Sequence, residues 1–145
     1  MNTPGTVIVI PDKMAFSSCI NIYINDLVGG LHVGNHTLIS YLNEAQMRFL
    51  TALGFPTLIV DGAITFNNEI TVQYQREARY GDVLTVQAHI DQLEARQYRI
   101  VYHMQNQLGK TVLKAQMIMV FVDQATGRRC DVPAAFYTAW ANYNR

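Results

Sequence analysis

The segment between Asp26 and Glu44 carries the side chains of this chain that are best suited to chemistry. A carboxylate, Asp26, lies six residues before His32 in a glycine-rich loop. Gly34 and Asn35 follow, and they lead directly into a helical pattern that contains a second carboxylate, Glu44. Carboxylates and histidines transfer protons, and free backbone N–H groups at a helix start can hold an oxyanion. The segment therefore combines candidate proton acceptors with candidate oxyanion donors.

Asp26 follows a stretch with the alternation that is typical of a half-buried strand. The residues on one face of this stretch are Phe16, Ser18, Ile20, Ile22 and Ile24. If the alternation continues, Asp26 lies on the same face, at the rim of an apolar surface. Partial desolvation there would raise the pKa of its carboxyl group and make it a better base or nucleophile. The alternative is an aspartate that caps a loop through hydrogen bonds to the backbone.

The glycine-rich loop supplies candidate partners for a substrate carbonyl. Backbone N–H groups from Val33 to Asn35 lie where a helix would begin, and Gly34 lets the backbone approach a carbonyl closely. His32 could orient Asp26, bind substrate or donate a hydrogen bond to the carbonyl. Asn35 could cap the helix and also face the substrate. The structural alternative is a tight loop that needs glycine, with a histidine bound to its backbone.

Glu44 is a second candidate carboxylate. At about 100° per residue it lies opposite the apolar stripe of the helix, and it precedes Arg48 by four residues, which favours a surface ion pair. Glu44 could still act as a base if the outer face of the helix meets a second subunit.

His32 and His36 indicate no metal site, because no third ligand has suitable spacing.

One long helix must position these groups. It begins near Asn35 or His36, where Asn35 is a good N-cap, and it ends near Gly54, before Pro56. Its apolar stripe consists of Leu38, Leu42, Ala45, Phe49 and Leu53.

Strand patterns fill most of the remaining chain. Residues 1–14 are expected to form an N-terminal arm, and a short helix is expected over 133–143. Period-two alternation predicts strands over 70–74, 83–90, 98–105 and 112–122. A single helix followed by a meander of strands predicts one α+β domain over residues 1–145.

Composition and charge exclude several classes of protein. Eleven basic and eleven acidic side chains balance, so no basic surface points to nucleic acid. No apolar run approaches the roughly 20 residues that span a bilayer, and the N-terminus lacks the pattern of a signal peptide. Cys19 and Cys130 are far apart in sequence, which favours free, buried thiols, with one disulfide as the alternative. We therefore expect a cytoplasmic protein that does not bind membranes.

The order of these elements resembles the hotdog fold, and the local residues resemble acyl-CoA thioesterases of the 4-hydroxybenzoyl-CoA thioesterase type. The segments that carry the resemblance are Asp26–His32, Val33–Asn35, Asn43–Leu50, Tyr80–Val86 and Val122–Pro133. The resemblance as a whole covers about residues 16–137. Leu31 and His36 depart from the family pattern, which usually has glycine at the first position and asparagine or aspartate at the second.

The resemblance implies a long central helix wrapped by an antiparallel sheet of five to six strands, and a homodimer or homotetramer. It also implies hydrolysis of an acyl-CoA or acyl-carrier thioester, with Asp26 as the catalytic carboxylate and Glu44 as a lower-ranked candidate. No cofactor is expected apart from the coenzyme A of the substrate. Candidate contacts for its anionic end are Arg96, Arg99, Lys110, Lys114, Arg128 and Arg129.

Two alternatives to hydrolysis stay open. A non-catalytic hotdog protein would bind acyl-CoA or an acyl carrier without turnover, and the departures at Leu31 and His36 favour this alternative. A hotdog lyase would act on an acyl thioester without releasing a thiol, but its usual histidine and acid motif on or beside the helix is not visible in this sequence.

Overall fold

A computed structural model describes residues 5–145. The helices are α1 (Asn35–Ala52) and α2 (Ala134–Tyr143), and Ile24–Asp26 form a short 3-10 helix. The strands are β1 (Phe16–Ile20), β2 (Leu27–Val28), β3 (His32–Val33), β4 (Ile59–Val60), β5 (Ala63–Tyr74), β6 (Leu84–Leu93), β7 (Gln97–Gln105), β8 (Thr111–Asp123) and β9 (Arg129–Cys130).

One antiparallel sheet contains all strands except β2 and β3, which form a separate hairpin. Its order is β1-β6-β7-β8-β5-β4, and β9 pairs with β8. Near one edge of the sheet, β1 reaches α1 through Arg48, whose Nη1 donates to the Ser18 Oγ at 2.6 Å. Near the other edge, β5 reaches α1 through Gln46, whose Nε2 donates to the Asn67 Oδ1 at 2.7 Å. The sheet therefore wraps the long helix, and the predicted α+β architecture is confirmed.

The core lies between α1 and the inner face of the sheet. The predicted helix stripe is confirmed, because its members are at most 8% exposed: Leu38, Leu42, Ala45, Phe49 and Leu53. Alternate residues of β6 face it and are at most 4% exposed: Leu84, Val86, Ala88 and Ile90. Burial of this continuous apolar surface is the main force that holds the helix in the curl of the sheet.

The predicted C-terminal helix is confirmed as α2. Its anchor is Phe136, which is fully buried. The ring of Phe136 lies 4.5 Å from the ring of Tyr98 and 5.4 Å from that of Phe121, measured between centroids, and it stacks on Phe55 at 5.9 Å. Aromatic packing thus attaches α2 to β7, β8 and the end of α1.

The predicted continuation of the first strand to Asp26 is wrong. β1 ends at Ile20, whose partner Leu84 is the first residue of β6, so no neighbouring strand remains to bond the next residues. The chain turns instead, with the Asp26 N–H donating to the Tyr23 carbonyl at 2.9 Å. Ile24 is 66% exposed and does not share a buried face with Asp26.

Boundaries of α1 differ from the prediction by one residue at each end. Gly34 is the N-cap and Asn35 is the first helical residue, and no side-chain hydrogen bond caps the helix. Leu53 is the C-cap, and Gly54 follows with a φ of +106°, a conformation that glycine adopts without strain.

β5 is longer than its alternation pattern predicts. The pattern marks only residues 70–74, whereas the strand begins at Ala63. A bulge between Asn67 and Glu69 inserts one extra residue and shifts the side-chain phase. The two halves of the strand therefore do not share one alternating pattern.

The predicted N-terminal arm lies partly outside the described residues, which begin at residue 5. Residues 5–14 contain no helix or strand. The Thr6 carbonyl accepts a hydrogen bond from Gln73 of β5, and the Ala15 N–H donates to the Nδ1 of His89 on β6 at 3.1 Å. The arm thus crosses the face of the sheet opposite α1, where Ile8 is 5% exposed.

Both cysteines are free, as predicted, but their predicted burial is wrong. Cys19 is exposed and Cys130 is half-buried. Cys19 lies on β1, an edge strand of the sheet, and its neighbours Ser18 and Ile20 alternate with it across the strand.

Candidate active site

The glycine-rich loop forms a hairpin at the start of α1. Val28 pairs with His32, and Leu27 pairs with Val33. Gly29 and Gly30 make the turn with φ angles of +34° and +82°, which disfavour other residues. The hairpin is attached to the chain before β6, because the Val33 N–H donates to the Ala78 carbonyl at 2.8 Å.

That bond changes the set of candidate oxyanion donors. The Val33 N–H is occupied and has no role as an oxyanion donor in this structure, so this part of the prediction is wrong. The N–H groups of Gly34, Asn35 and His36 have no hydrogen-bond acceptor within residues 5–145, because the first turn of a helix has no earlier carbonyl to bond. Their role as oxyanion donors stays a prediction.

Gly34 is fixed by close packing. A Cβ atom at this position would lie 2.9 Å from Cε1 of His36 and 3.2 Å from Cγ1 of Val28. Its φ of −67° is open to any residue, so space is the constraint. A side chain here would require the exposed His36 ring to turn aside and the Val28 methyl group to shift by a few tenths of an ångström.

Asp26 lies beside the second turn of α1 and is half-buried. Its Oδ2 accepts two hydrogen bonds, one from the hydroxyl of Tyr41 at 2.6 Å and one from the Tyr23 N–H at 3.0 Å. The second of these bonds belongs to the 3-10 turn, so the loop-capping role that the sequence allowed is present. The other oxygen, Oδ1, has no hydrogen-bond partner within the described residues.

A cleft of about 280 Å³ opens at this carboxylate. Its polar lining comes from Asn21, Tyr23, Asp26, Ser40, Tyr41, Glu44 and Arg48. Glu44 forms the predicted ion pair with Arg48 at 3.0 Å, and its side chain is 54% exposed. Arg48 is also bound to the carbonyl of Cys19 at 2.7 Å. Glu44 therefore shares the cleft with Asp26, but its charge is already paired.

A second cleft, of about 580 Å³, lies on the other side of the hairpin. It is lined by Val28, His32, Val33, Gly34, Asn35, His36, Leu38, Tyr74, Gln75, Arg76 and Glu77. The Tyr74 hydroxyl donates to the Asn35 carbonyl at 3.3 Å, which attaches the end of β5 to the helix start. Arg76 brings a positive charge to this cleft, and its Nη1 donates to the Thr111 carbonyl at 3.1 Å.

The predicted site residues are thus brought together only in part. Because Leu27 and Val33 are directly opposed, their Cα atoms lie about 5 Å apart, and Asp26 and Gly34 continue from that pair on neighbouring chains. Asp26 and the helix start therefore adjoin at the open end of the hairpin, where Asp26 lines the first cleft and Gly34 and Asn35 line the second. His32 lies in the second cleft, and no hydrogen bond joins it to Asp26 within residues 5–145.

Tyr41 and Arg76 are site residues that the sequence did not single out. Tyr41 precedes Glu44 by three residues and lies on the same flank of α1. The helical phase of Glu44 could therefore have identified Tyr41 as a neighbour in the site. Burial, with the hydrogen bond to Asp26 and its charge, raises the pKa of Tyr41 above its ordinary value of 10.0. Tyr41 therefore remains a hydroxyl donor across the physiological range.

Several predicted contacts for an anionic ligand are bound elsewhere. Arg99 forms a bidentate ion pair with Asp91, in which Nη2 lies 2.6 Å from Oδ2. Arg96 forms an ion pair with Asp131, in which Nη1 lies 3.0 Å from Oδ1. These bonds use the guanidinium groups to join strands and turns, in β6, β7 and the chain after β9. Neither Arg96 nor Arg99 lines either of the two clefts.

Two features are absent from the described part of the chain. No group of three or more His, Cys, Asp or Glu residues in 5–145 is arranged to hold a metal ion. Neither α1 nor α2 is long and apolar enough to cross a membrane.

Solved structures with this fold cover nearly the whole chain. A hypothetical protein from Staphylococcus aureus in complex with CoA has a TM-score of 0.82 and 18% identity, covering 94% of this chain and 87% of that one. A thioesterase from Thermus thermophilus complexed with coenzyme A and Zn has a TM-score of 0.80 and 19% identity, with 92% and 98% covered. A 1,4-dihydroxy-2-naphthoyl-CoA thioesterase from Synechocystis has a TM-score of 0.79 and 19% identity, with 90% and 98% covered. The predicted hotdog fold is confirmed.

Sequence comparison identifies the family. No curated protein sequence is significantly similar to this chain. The sequence model of the thioesterase-like superfamily matches residues 24–140, which include the hairpin, α1, the sheet from β4 to β9 and most of α2. The chain therefore belongs to the thioesterase-like superfamily.

Proposed function

We propose that this protein is an acyl-CoA thioesterase with Asp26 as its catalytic carboxylate. The observation that carries the proposal is the pairing of Leu27 with Val33, which leaves Asp26 and Gly34 as the next residues on the two chains at the open end of the hairpin. One oxygen of the carboxylate is held by Tyr41 and Tyr23, and the other is available to the cleft. A fixed base next to free helix-start amides is the arrangement that thioester hydrolysis needs.

Asp26 acts as the general base in this proposal. Its Oδ1 accepts a proton from a water molecule, and the water oxygen forms a bond to the thioester carbonyl carbon. The N–H groups of Gly34 and Asn35 hold the oxyanion that forms. The C–S bond then breaks, and the proton on Asp26 passes to the departing thiolate. His32 and Asn35 orient the substrate, and no cofactor is needed beyond the coenzyme A of the substrate.

The carrier in this proposal is coenzyme A. Arg76 lies beside the helix start in the second cleft, where its charge suits an anionic group of the carrier. Similar proteins from Staphylococcus aureus and Thermus thermophilus bind CoA, which supports the choice of carrier. Free cysteines are typical of a reducing compartment, so we propose that the enzyme is cytoplasmic.

A thiol-release screen over short, long and aromatic acyl-CoAs tests the function. We expect free CoA and the carboxylic acid to appear in equal amounts with at least one substrate class. Acyl-CoA analogues with a thioether in place of the thioester serve as controls, because they cannot be hydrolysed. Tight binding without thiol release would contradict hydrolysis and support a binding module. A changed acyl group that stays attached to CoA would support a lyase.

We further propose that the enzyme is at least a homodimer, formed through β5. β4 pairs only with Ala63 and Ile64, so within residues 5–145 the rest of this edge has no strand partner. Large apolar side chains on this strand are 38–44% exposed: Phe66, Ile70 and Tyr74. A long apolar edge strand favours pairing with another strand. Pairing with a second copy would also cover the cleft that contains Tyr74.

Substitution of Ile70 with Asp tests this interface. We expect the variant to sediment as a monomer, because a charge would be buried against the second copy, while the wild type sediments as a dimer or a homotetramer. Leu108→Asp is the matched control, since Leu108 is 74% exposed in the turn between β7 and β8. A monomeric wild type, or an Ile70→Asp variant with unchanged mass, would contradict the interface.

A further inference from the structure

The two oxygens of the Asp26 carboxylate have different surroundings. Oδ2 receives both hydrogen bonds, from the Tyr41 hydroxyl and the Tyr23 N–H. Oδ1 receives none within the described residues. It is also not sealed in the protein, because the only buried side-chain polar atom without a partner in that part of the chain is the hydroxyl of Tyr102. Oδ1 is therefore the oxygen that water and substrate can reach.

Tyr41 is held more firmly than Asp26. It is 7% exposed and belongs to the hydrophobic core, whereas Asp26 lies in a short 3-10 turn at the surface of the same cleft. The bond from Tyr23 is local, joining residues three apart, and it moves with the turn. Tyr41 is the donor that ties the carboxylate to α1, and through α1 to the helix-start amides.

Resting on the proposed function, we propose that Tyr41 is a positioning residue that anchors Oδ2 and turns Oδ1 toward the scissile carbonyl. Its hydroxyl fixes the rotation of the carboxyl group, so that one oxygen alone takes the proton from water. Tyr41 touches neither substrate nor water in this role and acts through Asp26.

The Tyr41→Phe variant keeps the buried ring and removes only the hydroxyl. We expect kcat for thiol release to fall about tenfold with KM within about twofold, because a charge-assisted hydrogen bond of this kind changes rates on that scale. Tyr137→Phe is the control, since Tyr137 lies on α2, lines neither cleft, and donates its hydroxyl to the carbonyl of Glu94, the residue after β6.

A double substitution separates positioning from a purely structural role. If Tyr41 acts through Asp26, adding Tyr41→Phe to Asp26→Asn should lower the residual thiol release by less than about twofold. A loss in the double variant equal to that of Tyr41→Phe alone would mean that Tyr41 acts independently of Asp26, and it would overturn the proposal.

Crystal structures of the wild type and of Tyr41→Phe test the proposal without using activity. In the wild type Asp26 Oδ2 should accept the hydrogen bond from the Tyr41 hydroxyl, and in Tyr41→Phe the carboxyl group should rotate away from this orientation. The same carboxyl orientation in the two proteins would overturn the role of Tyr41. This result is separable from the proposed function: a wild type that releases no thiol while the carboxyl group rotates in Tyr41→Phe rejects the thioesterase and keeps the contact.

Discussion

Replacing Asp26 with asparagine is expected to lower kcat for thiol release by about 100- to 10,000-fold, the usual contribution of a general base. Asparagine has nearly the same shape and can still accept the hydrogen bonds from Tyr41 and Tyr23, so the loop should keep its structure. It cannot accept a proton from water. Steady-state assays of thiol release against the best substrate of the screen measure the effect.

Matched controls make the result specific to this carboxylate. Asp61→Asn should leave kcat within about twofold of the wild type, because Asp61 is exposed, lies in neither of the two clefts at the hairpin, and has a φ of +47° that asparagine tolerates. Glu44→Gln is a test of ranking: its carboxylate is paired with Arg48, and we expect a smaller loss than for Asp26→Asn. A larger loss for Glu44→Gln would assign the base to the helix and contradict the role of Asp26.

Replacing Phe136 with alanine is expected to lower the free energy of unfolding by about 3–5 kcal/mol, as for other fully buried phenylalanines. Phe136 is completely buried and contacts the rings of Tyr98, Phe121 and Phe55. Truncation would leave a cavity among these rings and detach α2 from the sheet. Urea unfolding at a fixed protein concentration measures the change, since a dimer is stabilised by mass action.

Thr138→Ala is the control for this stability prediction. Thr138 is exposed on the same helix, two residues after Phe136, and its hydroxyl bonds only the Ala134 carbonyl of its own helix. We expect a change of about 0.5 kcal/mol or less. A loss below about 1 kcal/mol for Phe136→Ala would contradict the account of how α2 is attached.

Periodicity predicted the elements whose environment is uniform along their length. The stripe from Leu38 to Leu53 recurs with the helical period because the whole of α1 faces one sheet. The alternation from Leu84 to Ile90 recurs because β6 lies inside the sheet and has one buried and one outer face. In both cases a local pattern is sufficient, since the same packing partner is present at every turn or step.

The strand predictions are wrong where the neighbouring strand ends or where the pairing shifts. The alternation from Phe16 to Ile24 continues in the sequence, yet β1 stops at Ile20 because β6 begins opposite that residue. The bulge after Asn67 reverses the phase of β5, and no local signal marks it. The neighbouring strand determines where a strand ends or changes its side-chain phase. The local sequence of one segment does not specify that neighbour.

In the candidate site, too, local patterns predict some residues and miss the contacts that join distant parts of the chain. Asp26 and Glu44 could be named from residue type and spacing, and the ion pair of Glu44 with Arg48 follows from helical phase. The contact between Tyr41 and Asp26 joins residues fifteen positions apart through a turn that the alternation pattern hid. The engagement of the Val33 N–H likewise depends on Ala78, which is distant in sequence.

A crystal structure with a bound acyl-CoA analogue would show whether Asp26 and the helix-start amides face the same carbonyl group. The analogue should have a methylene group in place of the thioester sulfur, so that its carbonyl is kept but cannot be cleaved. We expect the carbonyl carbon to lie within about 4 Å of Asp26 Oδ1, or of one water bound to it, with the carbonyl oxygen toward the N–H groups of Gly34 and Asn35. A carbonyl bound between Tyr74 and Arg76, out of reach of Asp26, would contradict this expectation.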